Sequence, residues 1–85
     1  VNNYPIQMAS ENGHLEVVKL LLQDKRVDPT ADDNRAICRA ARNGQIDVVR
    51  LLLQDSRVDP STEFNFCLRT SARRGDLELV KLLLK

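Results

Sequence analysis

The sequence predicts an all-α solenoid of stacked helix-turn-helix repeats with short connectors, and three observations carry that expectation. The stretch Asn12 to Asp24 reads Asn-Gly-His-Leu-Glu-Val-Val-Lys-Leu-Leu-Leu-Gln-Asp, and a near copy runs from Asn43 to Asp55. A third copy begins at Arg74. Gly13, Gly44 and Gly75 keep the register at intervals of 31 residues. A fixed period in this range is the mark of a solenoid built from one supersecondary unit.

Each unit opens with a short helix. Ile6, Ala9 and Ser10 lie at i, i+3 and i+4, matched by Ile37, Ala40 and Ala41 and by Leu68, Ser71 and Ala72. That spacing makes one helical face, and its small residues let stacked backbones approach closely. Asn3, Asn34 and Asn65 precede this helix at the same place in every unit. They are expected to be N-caps, with the side-chain oxygen accepting an otherwise unpaired backbone N–H. The glycine then supplies the left-handed residue that stops the helix.

His14, Gln45 or Asp76 opens the second, longer helix. Its polar residues form one narrow stripe: Glu16, Lys19 and Gln23, then Asp47, Arg50 and Gln54, then Glu78, Lys81 and Lys85. A helix on the surface of a globule would carry a broader polar face. This one expects neighbours on both flanks, with the stripe as a solvated outer edge. An acid three residues before a base adds a few tenths of a kcal/mol per pair. A connector ending in Val-Asp-Pro follows at Val27 and again at Val58, and Asp28-Pro29 and Asp59-Pro60 read as turn formers.

This pattern resembles the ankyrin repeat over essentially the whole chain. The family's Thr-Pro-Leu-His segment aligns with Tyr4-Pro5-Ile6-Gln7, Arg35-Ala36-Ile37-Cys38 and Phe66-Cys67-Leu68-Arg69. Its Gly-His-x-x-Val-Val-x-x-Leu-Leu signature is carried whole by Gly13, His14, Val17, Val18, Leu21 and Leu22. The family period is about 33 residues, so the unit here is a short variant, with the loss falling between Asp28-Pro29 and Asn34. The resemblance implies that the β-turn finger of that segment is short or blunted. It also implies that His14 bonds backbone in a neighbouring turn, and that no connector asparagine is present for hydroxylation, since Thr30 and Ser61 stand there.

One domain over residues 1–85 is expected, with repeats at about 2–32, 33–63 and 64–85. Eighty-five residues is near the lower limit for an unstapled core. Neither end reads as a polar capping unit, and Leu82, Leu83 and Leu84 would leave apolar surface at an open end. The chain is therefore expected to be a segment of a longer array, with oligomerisation through the open end as the rival reading. A net charge of +1 gives no overall basic signal for nucleic acid or anionic membrane. No apolar run has membrane-spanning length. Cys38 and Cys67 lack metal-ligand spacing. They read as packed, reduced thiols of an intracellular, cytoplasmic protein, with a disulfide between stacked repeats as the alternative.

No constellation for catalysis stands out, and no enzyme activity, cofactor or metal is expected. His14 is the only histidine and has no Cys, Ser or second His placed to make it a base. Asp28, Asp32 and Asp33 lack the central Gly and closing Glu of a calcium loop. The positions that drift between copies are the informative ones. Opposite the inward face of the first helix lie Tyr4, Met8 and Glu11, then Arg35, Arg39 and Arg42, then Phe66, Thr70 and Arg73, with Asn12, Asn43 and Arg74 beside them. In ankyrin-like arrays this face lines the concave binding surface. The resemblance thus implies a monomeric protein-interaction module whose surface becomes strongly basic along the stack, suited to a partner with an acidic segment. Phe66 is expected to be its apolar anchor. Two other readings stand beside it: a spacer within a longer array, and an anionic-ligand or RNA site on the arginine strip. RNA is the weakest, because stacking platforms need interleaved aromatics and only Tyr4, Phe64 and Phe66 are present.

Overall fold

A computed structural model of the chain describes residues 2–58, 73, 75 and 77–83. They contain helices α1 (Tyr4–Glu11), α2 (Leu15–Leu22), α3 (Ala31–Arg42), α4 (Ile46–Gln54) and α5 (Leu77–Leu83). No described residue lies in a β-strand. α1 pairs with α2 and α3 with α4, while α1 packs on α3, α2 on α4 and α4 on α5. α1 and α3 make one layer and α2 and α4 the other, in the expected all-α stack; the expected order of lengths does not hold, since α1 and α2 each have 8 residues and α3, with 12, is longer than α4, with 9.

The turns form as the glycines require. Gly13 and Gly44 sit at φ +73° and +71°, where a side chain would be strained. In the first turn His14 N–H donates to Ala9 O at 3.0 Å and Gly13 N–H to Ser10 O at 3.3 Å. In the second, Gln45 N–H donates to Ala40 O at 2.9 Å and Gly44 N–H to Ala41 O at 3.2 Å. Both are complete Schellman caps, which satisfy carbonyls the helix end would leave unpaired. Gly75 has the same left-handed φ, +74°.

The core is the predicted inward face. Ile6, Ala9 and Ser10 of α1 meet Ala36, Ile37, Ala40 and Ala41 of α3, all buried. Below them lie Val18 of α2 and Val48, Val49 and Leu52 of α4. α2 and α4 differ in one respect. Val48 of α4 is 1% exposed, while its counterpart Val17 of α2 is 47% exposed and Leu20 is 68% exposed. The residue types are the same or similar; the difference is that α4 lies between α2 and α5, whereas α2 has a described neighbour on one flank only. The polar stripes are solvated as expected. Lys19–Glu16 and Arg50–Asp47 form i,i+3 pairs at 3.5 and 3.9 Å, and Arg50 also reaches Glu78 of α5 at 4.0 Å.

The caps are not where the asparagines placed them. Asn3 does stand at the N-cap of α1 but makes no side-chain cap bond. Its Oδ1 instead accepts Asp28 N–H at 2.8 Å, tying the connector to the start of the unit. The first amide of α1 is served by Asn2, whose Oδ1 accepts Tyr4 N–H at 2.9 Å. Asn34 is not a cap at all. α3 begins at Ala31 with Thr30 as N-cap, and Asn34 lies buried in the helix with its Oδ1 unpaired. The first turn of α3 holds Asp32 and Asn34 at φ +57° and +60°, the side-chain types that tolerate left-handed backbone best. This distorted turn occupies the place of the blunted finger. Asp28 does form the expected turn, its Oδ1 accepting Thr30 N–H at 2.9 Å and Thr30 Oγ1–H at 2.6 Å.

Two expectations about single side chains change as well. His14 is exposed, and its imidazole makes no cap bond at the start of α2. Its counterpart Gln45 performs the neighbour contact, with Nε2–H donating to Glu11 O of the preceding repeat at 3.2 Å. Cys38 is buried but not a reduced thiol, because it is disulfide-bonded; Cys67 lies outside the described residues, as do Asn65 and Leu84.

The connectors hold a device that residue patterning did not single out. Arg26 wraps back on Asp24, with Nε and Nη2 donating to its two oxygens at 3.1 and 2.8 Å. Arg57 does the same with Asp55 at 3.0 and 2.8 Å. Arg57 then uses Nη1 to donate to Val27 O of the preceding connector at 2.6 Å. The Asp-x-Arg pair therefore pre-orients a guanidinium that stitches one connector to the previous one. Such fork-shaped, charge-assisted pairs are the stronger class of hydrogen bond.

Two outcomes follow from this packing. Ala40→Asp places an unpaired carboxylate between α1 and α3, which costs several kcal/mol; the variant should show no cooperative melt, and a wild-type melt would contradict the inward face. The second concerns acid. The bond from Arg26 holds Asp24 down to about 2, the bond from Arg57 lowers Asp55, and the bond from Thr30 lowers Asp28. Carboxylates depressed in the fold contribute stability that is present above their unfolded value, about 3.9, and is lost as pH falls below it. Melting temperature should thus be level above about pH 5 and fall from pH 4 toward pH 2. Asp55→Asn should cost about 1–2 kcal/mol at neutral pH through the loosened Arg57, and Asp24→Asn less; equal effects would contradict the stitch.

Candidate functional site

The stacking of α1 on α3 determines which side chains form a surface. A shift of one repeat relates Tyr4 to Arg35, Met8 to Arg39 and Glu11 to Arg42 in register, on helices that pack together. Tyr4, Arg35 and Arg42 are exposed, while Met8, Glu11 and Arg39 are half-buried. Half of the described stripe is thus open to solvent, and the other half is drawn into the boundary between the repeats.

Three of the expected residues touch one another. Arg39 Nη1 lies 3.3 Å from Glu11 Oε1 and 3.6 Å from Met8 Sδ. The pair is partly shielded, its side chains 21% and 29% exposed. Arg39 Nε is buried and unpaired. Arg39 is thus held across the repeat boundary as part of the stack, and its guanidinium is the pivot of the surface rather than its most accessible charge.

Two acids near this surface are already engaged. Glu11 serves Arg39, and Asp32 accepts from Gln7 Nε2 at 2.9 Å, so Asp32 anchors a buried amide of α1. Arg35 and Arg42 flank this neutralised centre on the exposed side of α3. Arg73 is exposed and helical. Phe66, Thr70 and Arg74 lie outside the described residues.

Asn12 and Asn43, which sequence alone set beside the stripe, have a plainer role. Each closes its own helix, Asn12 Nδ2–H donating to Met8 O and Asn43 Nδ2–H to Arg39 O, both at 2.9 Å. Their recurrence at the repeat period was the available signal that they are structural. A groove of 490 Å³ lies elsewhere, where the two glycine turns meet Gln45, Asp47, Arg50 and Glu78, and it shares no residue with the stripe. Among the described residues no group of His, Cys, Asp and Glu is arranged to hold a metal ion. None of the described helices is long and apolar enough to cross a membrane.

Comparison with known proteins places this architecture. The model of the family described as ankyrin repeats (3 copies) matches residues 1–64. No curated protein matches the chain. The match covers the two repeats whose turns, inward faces and connectors are described above, and the chain belongs to the ankyrin repeat family.

Proposed function

We propose that the chain is a non-catalytic protein-binding module that grips an acidic, partly apolar segment of its partner on the outward stripe of α1 and α3. Ankyrin repeats are in general protein–protein interaction modules. The observation that carries the finer reading is the arrangement of charge on α3. Glu11 and Asp32 are spent on Arg39 and Gln7, and Arg35 is exposed on α3 in register with the exposed Tyr4, with Arg42 exposed further along the same helix. Arginine and aromatic side chains supply a disproportionate share of binding energy at interfaces. Arg73 extends the same stripe, and the proposal includes Thr70, Arg74 and the anchor Phe66 at their register positions in the third unit.

The proposal takes the module as a monomer of about three repeats, at residues 2–32, 33–63 and 64–85. It also takes the chain as intracellular; the disulfide of Cys38 is the one observation that pulls against a reducing compartment.

The test is a titration with a synthetic peptide of alternating Glu and Leu carrying one Phe. Arg35→Glu combined with Arg42→Glu should weaken its binding about tenfold or more, through like-charge opposition, with an unchanged melting temperature. Phe66→Ala should weaken it by about 2 kcal/mol, again without a change in melting temperature. Peptide binding that ignores the double charge reversal would remove the stripe as the site. Preferred binding of single-stranded RNA, with the steep salt dependence of phosphate contacts, would favour the anionic-ligand reading instead. A chain that binds neither would leave the spacer reading.

A further inference from the structure

Gln7 of α1 reaches across a repeat boundary. It is buried, and its Nε2 donates to Asp32 Oδ2 of α3 at 2.9 Å. Its counterpart 31 residues on is Cys38, which is buried in α3 and disulfide-bonded. The chain has one other cysteine, Cys67, whose counterpart 31 residues back is Ala36. Gln7 and Ala36 are both buried, on the helices α1 and α3 that pack together. The two cysteines thus hold, at the next boundary, the register positions that the first boundary buries on its two packed helices. A hydrogen bond crosses the first boundary from this position, and at Cys38 a covalent bond takes its place.

We propose that Cys38 and Cys67 form a redox-sensitive staple, which ties the third unit to α3 when oxidised and releases it when a dithiol reduces the bond. The bond closes a loop of about 30 residues, which removes freedom from the unfolded chain. In the exchange, one thiolate of the dithiol attacks a protein sulfur and forms a mixed disulfide. Its second thiolate then displaces that protein sulfur and closes the small-molecule disulfide. Two electrons and two protons pass from the dithiol to the protein, whose sulfurs end as thiols; an oxidised dithiol runs the same steps in reverse. The consequence for the partner surface rests on the binding reading above. α3 carries the exposed Arg35 and Arg42, and Cys67 adjoins Phe66 in the chain. The staple therefore couples the second unit's share of the outward stripe to the register positions of Phe66, Thr70 and Arg73. A partner spanning both units needs them in one geometry, and an open bond adds the ordering of the third unit to the cost of binding.

Tryptic digestion without reductant should yield residues 36–39 linked to residues 58–69, the two fragments that hold the cysteines. Added dithiothreitol should lower the melting temperature of the whole chain and speed amide exchange in α5 more than in α1. Affinity for the peptide of Glu, Leu and Phe should fall about tenfold on reduction. Cys67→Ser should match the reduced wild type in all three readouts and ignore the dithiol, and Cys38→Ala should do the same. Reduction of the wild type needs no variant, so a substitution that fails to fold leaves the test intact. A link between two molecules, seen as a dimer lost on reduction, would overturn the proposal, as would equal exchange in α5 before and after reduction. Melting and exchange that respond as expected, with a peptide bound by neither form, would uphold the staple and remove the partner reading instead.

Discussion

No single unit of this chain has the means to bury its own apolar surface. The second helix of each unit, with one narrow polar stripe, needs cover on two flanks, and helices of eight residues such as α1 and α2 are too short to be stable in water alone. The contact between α1 and α3 resolves both problems, and the rest of the structure depends on it. Small residues at Ala9, Ser10, Ala40 and Ala41 bring the two backbones together. That approach sets the relative position of the hairpins, aligns α2 against α4, and brings Glu11 within reach of both Gln45 and Arg39.

On the function proposed above, function and fold share this boundary. The same closeness that packs Ile6 against Ala36 and Ile37 lays the outward stripes of α1 and α3 side by side. One face of the helix pair is spent on stability, and on the opposite face Arg39 and Glu11 are also tied into the stack while Tyr4 and Arg35 are exposed. Glu11 sits at the border of the two roles: its carbonyl accepts from the next repeat's turn, and its carboxylate holds Arg39. The exposed charges Arg35 and Arg42 are then presented from a helix whose position is already determined, which lowers the cost of ordering them on binding.

Much of this was legible in the residues because it recurs. Gly13, Gly44 and Gly75 announced the turns, and Ile6, Ala9 and Ser10 announced the inward face, since stacking demands the same chemistry at each pass. Asn3 and Asn34 misled for the same reason. A recurring asparagine before a helix fits a cap, but Asn3 spends its oxygen on Asp28, 25 residues away, a tertiary contact that propensity does not contain. Val17 and Val48 are the same residue at the same register with opposite burial; only the presence or absence of a neighbour tells them apart. The Asp-x-Arg clasp was visible twice in the sequence, yet its purpose depends on where Val27 O lies, which only the folded boundary shows. Of the candidate stripe, the exposure of Tyr4, Arg35 and Arg42 was readable from the wheel. The pairing of Arg39 with Glu11 was not, because it crosses from one repeat to the next.

Native-state hydrogen exchange tests the dependence on the α1–α3 boundary most directly. The amides of His14 and Gln45 close equivalent turns in successive repeats, bonded to Ala9 O and Ala40 O. If neither repeat stands without the other, both amides exchange only through a shared opening, with one free energy and one denaturant slope equal to those of global unfolding. An opening free energy for His14 well below that of Gln45, with a small slope of its own, would show the first repeat unfolding by itself and would contradict the account.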